Sequence, residues 1–104
     1  MKRGEIWWVR FPAPIGRRPA VLVARNQAYR VRAAVTVVPL THTVRGIPVE
    51  VPLGPADGMR RSSVANADDI TTVPKTRIDQ YMTVLSPEKS EALAAAIRFA
   101  LDLG

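Results

Sequence analysis

Two stretches carry side chains suited to phosphate chemistry. Gly16-Arg17-Arg18-Pro19 opens an apolar run from Ala20 to Ala24, and Val37-Val38-Pro39-Leu40 closes on Thr41. An apolar run of that length predicts a strand buried on both faces. Arg18 then stands at the mouth of one buried strand and Thr41 at the end of another. If those strands are neighbours, a guanidinium and a hydroxyl are held together on a rigid floor. Arginine suits a phosphate there, because its planar fork of donors never loses its charge.

Other side chains could join them. Arg17 and Arg45 offer further phosphate contacts. Ser63, Asn66, Asp68, Asp69 and Arg77 could hydrogen-bond nucleotide edges, although the commoner work of such residues is to form turns and caps. Trp7 and Trp8 could stack on bases, and alternation along a strand puts at least one of them in the core. His42, the single histidine, follows Thr41 directly. It could be a general acid or base, but strand alternation faces it away from Thr41 unless Pro39 distorts the strand, so it is read as a nucleotide contact and not as the catalytic base. No Ser-His-Asp spacing and no phosphate-binding glycine loop is present. Without cysteine and with one histidine, the chain has no obvious zinc ligand set, and no cofactor is expected.

The charge is uneven. Residues 1–61 hold eleven Lys/Arg against three Asp/Glu, whereas residues 62–104 hold four against six. A basic half implies an acidic partner, either a nucleic acid or an acidic protein. Most of the cations are Arg, which a GC-rich genome would also produce. The start has no signal-peptide pattern and no apolar run is long enough for a membrane span, so a soluble, cytoplasmic protein is expected.

The elements that must position these residues are short. Ile6 to Phe11 is aromatic and β-branched and reads as the first strand. Pro19 to Arg25 is the second, Asn26 to Arg32 a polar connector, and Ala34 to Thr41 the third, with Pro39 implying an edge or a bulge. Ile47, Val49, Val51 and Leu53 alternate with Pro48, Glu50 and Pro52, which predicts a fourth strand at a protected edge. A fifth runs through Ser63–Asn66 and on through Ile70–Val73, broken at Asp68-Asp69. Tyr81 to Leu85 is the sixth. Only the tail reads as a helix: Ser86 is a natural N-cap, Pro87 fits the first helical position, and Leu93, Ile97, Ala100 and Leu101 form one stripe. The 104 residues make one domain, mainly β with a C-terminal helix, most simply a small antiparallel barrel closed by that helix.

In this order, Gly4-Glu5-Ile6-Trp7, Arg18-Pro19-Ala20-Val21-Leu22-Val23, Val37-Val38-Pro39-Leu40-Thr41, Ser63 through Thr72, and Lys75-Thr76-Arg77 resemble the MazF/PemK toxins of bacterial toxin–antitoxin systems. The resemblance spans the whole chain. It implies an SH3-like barrel, of the MazF/CcdB kind, that forms a homodimer. It implies a metal-independent endoribonuclease that cuts single-stranded RNA at short sequences, leaving a 2′,3′-cyclic phosphate and a 5′-hydroxyl. It assigns catalysis to the Arg of the Arg-Pro step and the Thr closing the third strand, here Arg18 and Thr41. An acidic antitoxin is expected to block the RNA groove. The chain departs from its relatives in two places: the loop Pro12 to Arg17 is short and lacks an acid, and His42 stands where relatives often have serine. Two other readings remain open at this point, a toxin of the same fold that binds DNA gyrase and an RNA-binding barrel without catalysis.

Overall fold

Strands β2 (Arg17–Leu22) and β3 (Ala34–Thr41) are antiparallel neighbours in the computed structural model, which describes residues 1–104. Around them lie β1 (Glu5–Arg10), β4 (Glu50–Leu53), β5 (Ser63–Asn66), β6 (Thr71–Pro74) and β7 (Ile78–Val84). The sheet runs β4-β5-β3-β2-β1-β7, with β6 also on β3. The end strands β4 and β7 are not paired with each other, so the barrel-like arrangement is not closed by hydrogen bonds. Two helices complete the chain, α1 (Ala28–Val31) and α2 (Pro87–Ala100). The mainly antiparallel fold with a C-terminal helix is as expected. No helix is long and apolar enough to cross a membrane.

The continuous apolar runs are explained by a core on each face of the sheet. Val21, Val38 and Leu40 join Ile6, Leu93 and Ala96 in one cluster, under α2. Ala20, Leu22 and Val37, one residue out of phase, join Val9, Val35 and Tyr29 in the other. Alternate residues of β2 and β3 therefore enter different cores, and both strands must be apolar throughout. Ile6, Val9, Val21, Leu22, Val37 and Val38 are fully buried, each worth roughly 1.5–3 kcal/mol relative to exposure. That packing makes a rigid floor of the two strands whose ends carry Arg18 and Thr41.

Several sequence expectations change. Pro39 marks neither an edge nor a bulge, because β3 is the central strand. The β3 residues up to Val37 pair with β6, and those from Leu40 pair with β5. Pro39 sits in the gap between the two partners. The Thr36 carbonyl accepts the Val23 N–H, so alternation turns Pro39 towards that gap, where no ladder bond is lost. The interrupted fifth strand is two strands, β5 and β6, on the same side of β3 and separated by a tight turn at Ala67–Asp69. The polar connector contains one helical turn, α1, because Tyr29 is buried there. Its hydroxyl accepts the Ala24 N–H at 3.0 Å and donates to the Thr36 carbonyl at 3.2 Å. The last strand begins at Ile78 and not at Tyr81. The edge position of β4 is as expected, but the strand starts only at Glu50, and Ile47 is exposed. In α2, Ser86 caps the helix by accepting the Lys89 N–H at 3.1 Å. Leu93 is buried as the stripe requires, whereas Leu101 lies past the helix end and is exposed.

Candidate active site

The register places the two leading residues together. Ala20 pairs with Pro39 at the last step of the β2–β3 ladder, and just beyond it Arg18 and Thr41 both line one cleft. Both are half-buried. Arg18 Nη1 reaches the Leu40 carbonyl at 3.5 Å, a long contact that steers the guanidinium and leaves its other donors free. Thr41 Oγ1 accepts the Thr43 N–H at 3.2 Å, so its own hydroxyl proton remains available to an incoming oxygen.

Above this pair opens a cleft of about 940 Å³. Its walls carry four arginines, Arg17, Arg18, Arg60 and Arg61, and no Asp or Glu. Such a lining concentrates positive potential and attracts an anion. Trp8, Gln80 and Tyr81 supply aromatic and amide surface along one side. Trp7 packs on the core beneath and meets Tyr81 edge to face at 5.8 Å, so of the two tryptophans it is Trp8 that borders the cleft.

Arg17 lines the cleft as expected, but its guanidinium is engaged. It donates to Asp79 through Nε at 3.3 Å and Nη2 at 3.1 Å, and to Gln80 Oε1 at 3.2 Å. It also lies 4.3 Å from the centre of the Trp8 ring, a cation–π distance. The hydrogen bond from Arg17, with the charges of Arg17 and Arg10 behind it, outweighs desolvation and holds the Asp79 carboxyl below its ordinary range.

His42 does not face away from Thr41. Strand β3 ends at Thr41 and the chain bends at His42, so alternation stops applying one residue too early, and both side chains line the cleft. His42 Nδ1 lies 3.0 Å from the Ser62 carbonyl and 3.4 Å from Ser63 Oγ. Ser63 itself is buried beneath the cleft wall. The loop after His42 is tied down by Glu50, whose carboxylate accepts the N–H groups of Arg45, Gly46 and Ile47 at 2.8–3.4 Å. Burial alone would raise the pKa of Glu50, but these donors and the Arg45 charge bring it below its ordinary value.

Thus Trp8, Arg17, Arg18, Thr41, His42 and Ser63 line one cleft, and the other sequence candidates stand apart from its lining. Asn66 is buried and caps the following turn by accepting the Asp68 N–H at 2.9 Å. Asp68 and Asp69 are exposed on that turn, Arg77 is exposed after β6, and Arg45 is exposed on the Glu50-bound loop. Sequence reasoning missed Arg60, Arg61, Gln80 and Tyr81. The Arg60-Arg61 pair carries the same signal as Arg17-Arg18, a basic pair before a strand, while Gln80 and Tyr81 carry none. Gly58, beside Arg60, has φ +86°, and a Cβ there would come within 2.8 Å of Thr83 Oγ1, so the turn presenting the arginines needs glycine. No three His, Cys, Asp or Glu side chains gather in a way that could hold a metal ion.

Comparison with known proteins agrees with this geometry. The family model for the PemK-like, MazF-like toxin of type II toxin–antitoxin systems matches residues 2–101. The chain is 37% identical over 102 residues to the probable endoribonuclease MazF5 of Mycobacterium tuberculosis, covering 96% of this chain and 92% of that protein. It is 35% identical over 86 residues to endoribonuclease MazF3 of the same species, covering 83% and 84%. Among solved structures, the M. tuberculosis toxin MazF-mt6 superposes with a TM-score of 0.88 at 31% identity, covering 96% of this chain and 98% of that one. A mycobacterial endoribonuclease in complex with its cognate antitoxin superposes with the same TM-score of 0.88 at 32% identity, covering 100% and 97%. The chain belongs to the PemK/MazF-like family of type II toxins.

Proposed function

We propose that this protein is a sequence-specific endoribonuclease toxin that cuts single-stranded RNA without a metal ion and is neutralised by an acidic antitoxin. The observation that carries the reading is the placement of Arg18 and Thr41, just beyond the paired stretch of two neighbouring buried strands, in the lining of one cleft with four arginines and no carboxylate. The relatives named as endoribonucleases, and the one solved with its antitoxin, support it.

The reaction is in-line attack by a ribose 2′-hydroxyl on its neighbouring phosphate. The O2′–P bond forms, the P–O5′ bond breaks, and a 2′,3′-cyclic phosphate and a 5′-hydroxyl remain. Negative charge grows on the phosphoryl oxygens during the attack. Arg18, held in place by the Leu40 carbonyl, offers its remaining donors to that charge, and a fixed donor of this kind is worth about 3–4 kcal/mol of barrier. The Thr41 hydroxyl donates to a second phosphoryl oxygen. Arg60 and Arg61 hold flanking phosphates, and Trp8 and Tyr81 offer ring faces to bases. The substrate is cytoplasmic RNA. A second copy of the chain and the antitoxin both require apolar contact surface, and Tyr81, Val84 and Phe99 leave large side chains in solvent.

The test is incubation of the purified protein with RNA in EDTA, with the ends of the fragments identified. Fragments ending in 2′,3′-cyclic phosphate are expected. Arg18→Ala is expected to lose at least about 10²-fold in rate while remaining folded, and Arg18→Lys most of that, since a point charge does not replace a fork. A folded Arg18→Ala protein that cuts normally would refute the assignment.

A further inference from the structure

We propose that His42 is the general base that removes the 2′-hydroxyl proton, a role that rests on the endoribonuclease reading above. Three observations lead to it.

The first is the ring's orientation. A carbonyl oxygen can only accept, so the 3.0 Å contact to the Ser62 carbonyl requires a proton on Nδ1. Ser63 completes the arrangement. Its hydroxyl lies 3.4 Å from the Arg61 carbonyl and 3.4 Å from Nδ1. It gives its single proton to Arg61 and turns a lone pair to the imidazole. Both contacts assign the Nδ1–H form to the neutral ring, which leaves the lone pair on Nε2. A base whose other nitrogen is anchored by an acceptor is oriented as proton transfer requires.

The second is position. His42 is the residue after Thr41, at the bend where β3 ends, and its side chain lines the same cleft as Arg18 and Thr41. A scissile phosphate held by those two lies in the cleft whose lining includes His42.

The third is elimination among the groups that line the cleft. The charged and titratable groups there are Arg17, Arg18, Arg60, Arg61, Tyr81 and His42. The arginines stay protonated, a tyrosine phenol is ordinarily protonated at neutral pH, and a threonine or serine hydroxyl needs a base of its own. Of the carboxylates on the flanking segments, Asp79 is committed to Arg17, Glu50 to three backbone N–H groups, and Asp57 to the Gly54 N–H. Nε2 of His42 is the one basic lone pair that the cleft offers.

In the proposed step the 2′ oxygen attacks phosphorus and its proton passes to Nε2. The 5′ oxygen departs and is protonated by solvent, and the imidazolium returns its proton to solvent. Arg18 neutralises charge on the phosphoryl oxygens throughout.

The experiment compares the unsubstituted protein, Arg18→Ala, His42→Asn and His42→Ala in EDTA. Affinity is measured separately, on an RNA with a 2′-deoxy sugar at the cut. Asparagine keeps a donor for the Ser62 carbonyl and has no basic nitrogen. His42→Asn is expected to lose about 10²–10³-fold in kcat with unchanged affinity for the deoxy-substituted strand. Added imidazole is expected to restore part of the rate to His42→Ala and none to Arg18→Ala. A loss below about tenfold, a loss confined to affinity, or an alanine variant that imidazole does not restore would overturn the role of base. In those cases cyclic-phosphate products from the unsubstituted protein would still uphold the endoribonuclease reading. No cutting by the unsubstituted protein would overturn both.

Discussion

Thr41 and Asp79 do opposite work at the cleft. Thr41 Oγ1 accepts only an exposed N–H, that of Thr43, so its hydroxyl contributes little to stability, at most about 1 kcal/mol. Thr41→Val retains the β-branched shape that suits the strand. It is expected to lower kcat more than it weakens RNA binding, as separated by single-turnover kinetics and titration. A variant that turns over normally but unfolds more easily would make Thr41 structural. Asp79 competes with RNA for Arg17. Asp79→Asn removes a negative charge beside the cleft and releases the guanidinium, leaving it only the neutral Gln80 amide and the Trp8 ring face. RNA affinity is expected to rise, and its salt dependence to steepen by about 0.7 for one added phosphate contact. Unchanged affinity and slope in a fluorescence-anisotropy titration would show that Arg17 acts only as a structural tie.

At the scale of elements, the loop from His42 to Val49 depends on one carboxylate. Glu50, the first residue of β4, gathers the N–H groups of Arg45, Gly46 and Ile47. Its pKa is lowered on folding. A lowered value means the ionised form is the one folding favours, so its contribution is full above the ordinary glutamate value of 4.5 and is lost as pH falls below that, through the folded value. Amide exchange at Arg45 and Gly46, referred to the intrinsic rate at each pH, is expected to lose protection across that acid window. In Glu50→Gln it is expected to be fast at every pH. Protection that does not respond to acid would mean the loop is held by other contacts. The same element explains why the alternating pattern begins as strand only at Glu50: the carboxylate curls the preceding residues into a turn.

For the whole molecule, the basic half and the cleft are connected. Four arginines line the cleft and all lie within residues 1–61. With Arg17 held by Asp79, binding of an uncleavable single strand is expected to give a slope of log affinity against log salt near −2, from about −0.7 per phosphate at the three contacts of Arg18, Arg60 and Arg61. Arg60→Ala or Arg61→Ala is expected to flatten the slope by about 0.7 without changing which sequence is cut, because phosphate contacts position and base contacts specify. A flat salt dependence would show that the arginine excess is compositional and does not serve a nucleic-acid groove.

Local rules were enough wherever a residue's role depends on its chain neighbours. The run Ala20 to Val23 is buried because successive residues point to opposite faces and both faces are covered. Ser86 caps α2 through a contact only three residues away. Arg18 and Thr41 were legible for the same reason, as polar residues at the ends of two buried runs, and the pairing of β2 with β3 made those ends neighbours. Where a role depends on which strand lies beside which, sequence pattern was silent. Pro39 fits a central strand because β6 gives way to β5 beside it. Asp79 meets Arg17 across 62 residues and the Ser62 carbonyl meets His42 across 20. His42 turned into the cleft because the strand stopped one residue before it, and period-two alternation is a property of paired backbone, not of the residues written along it.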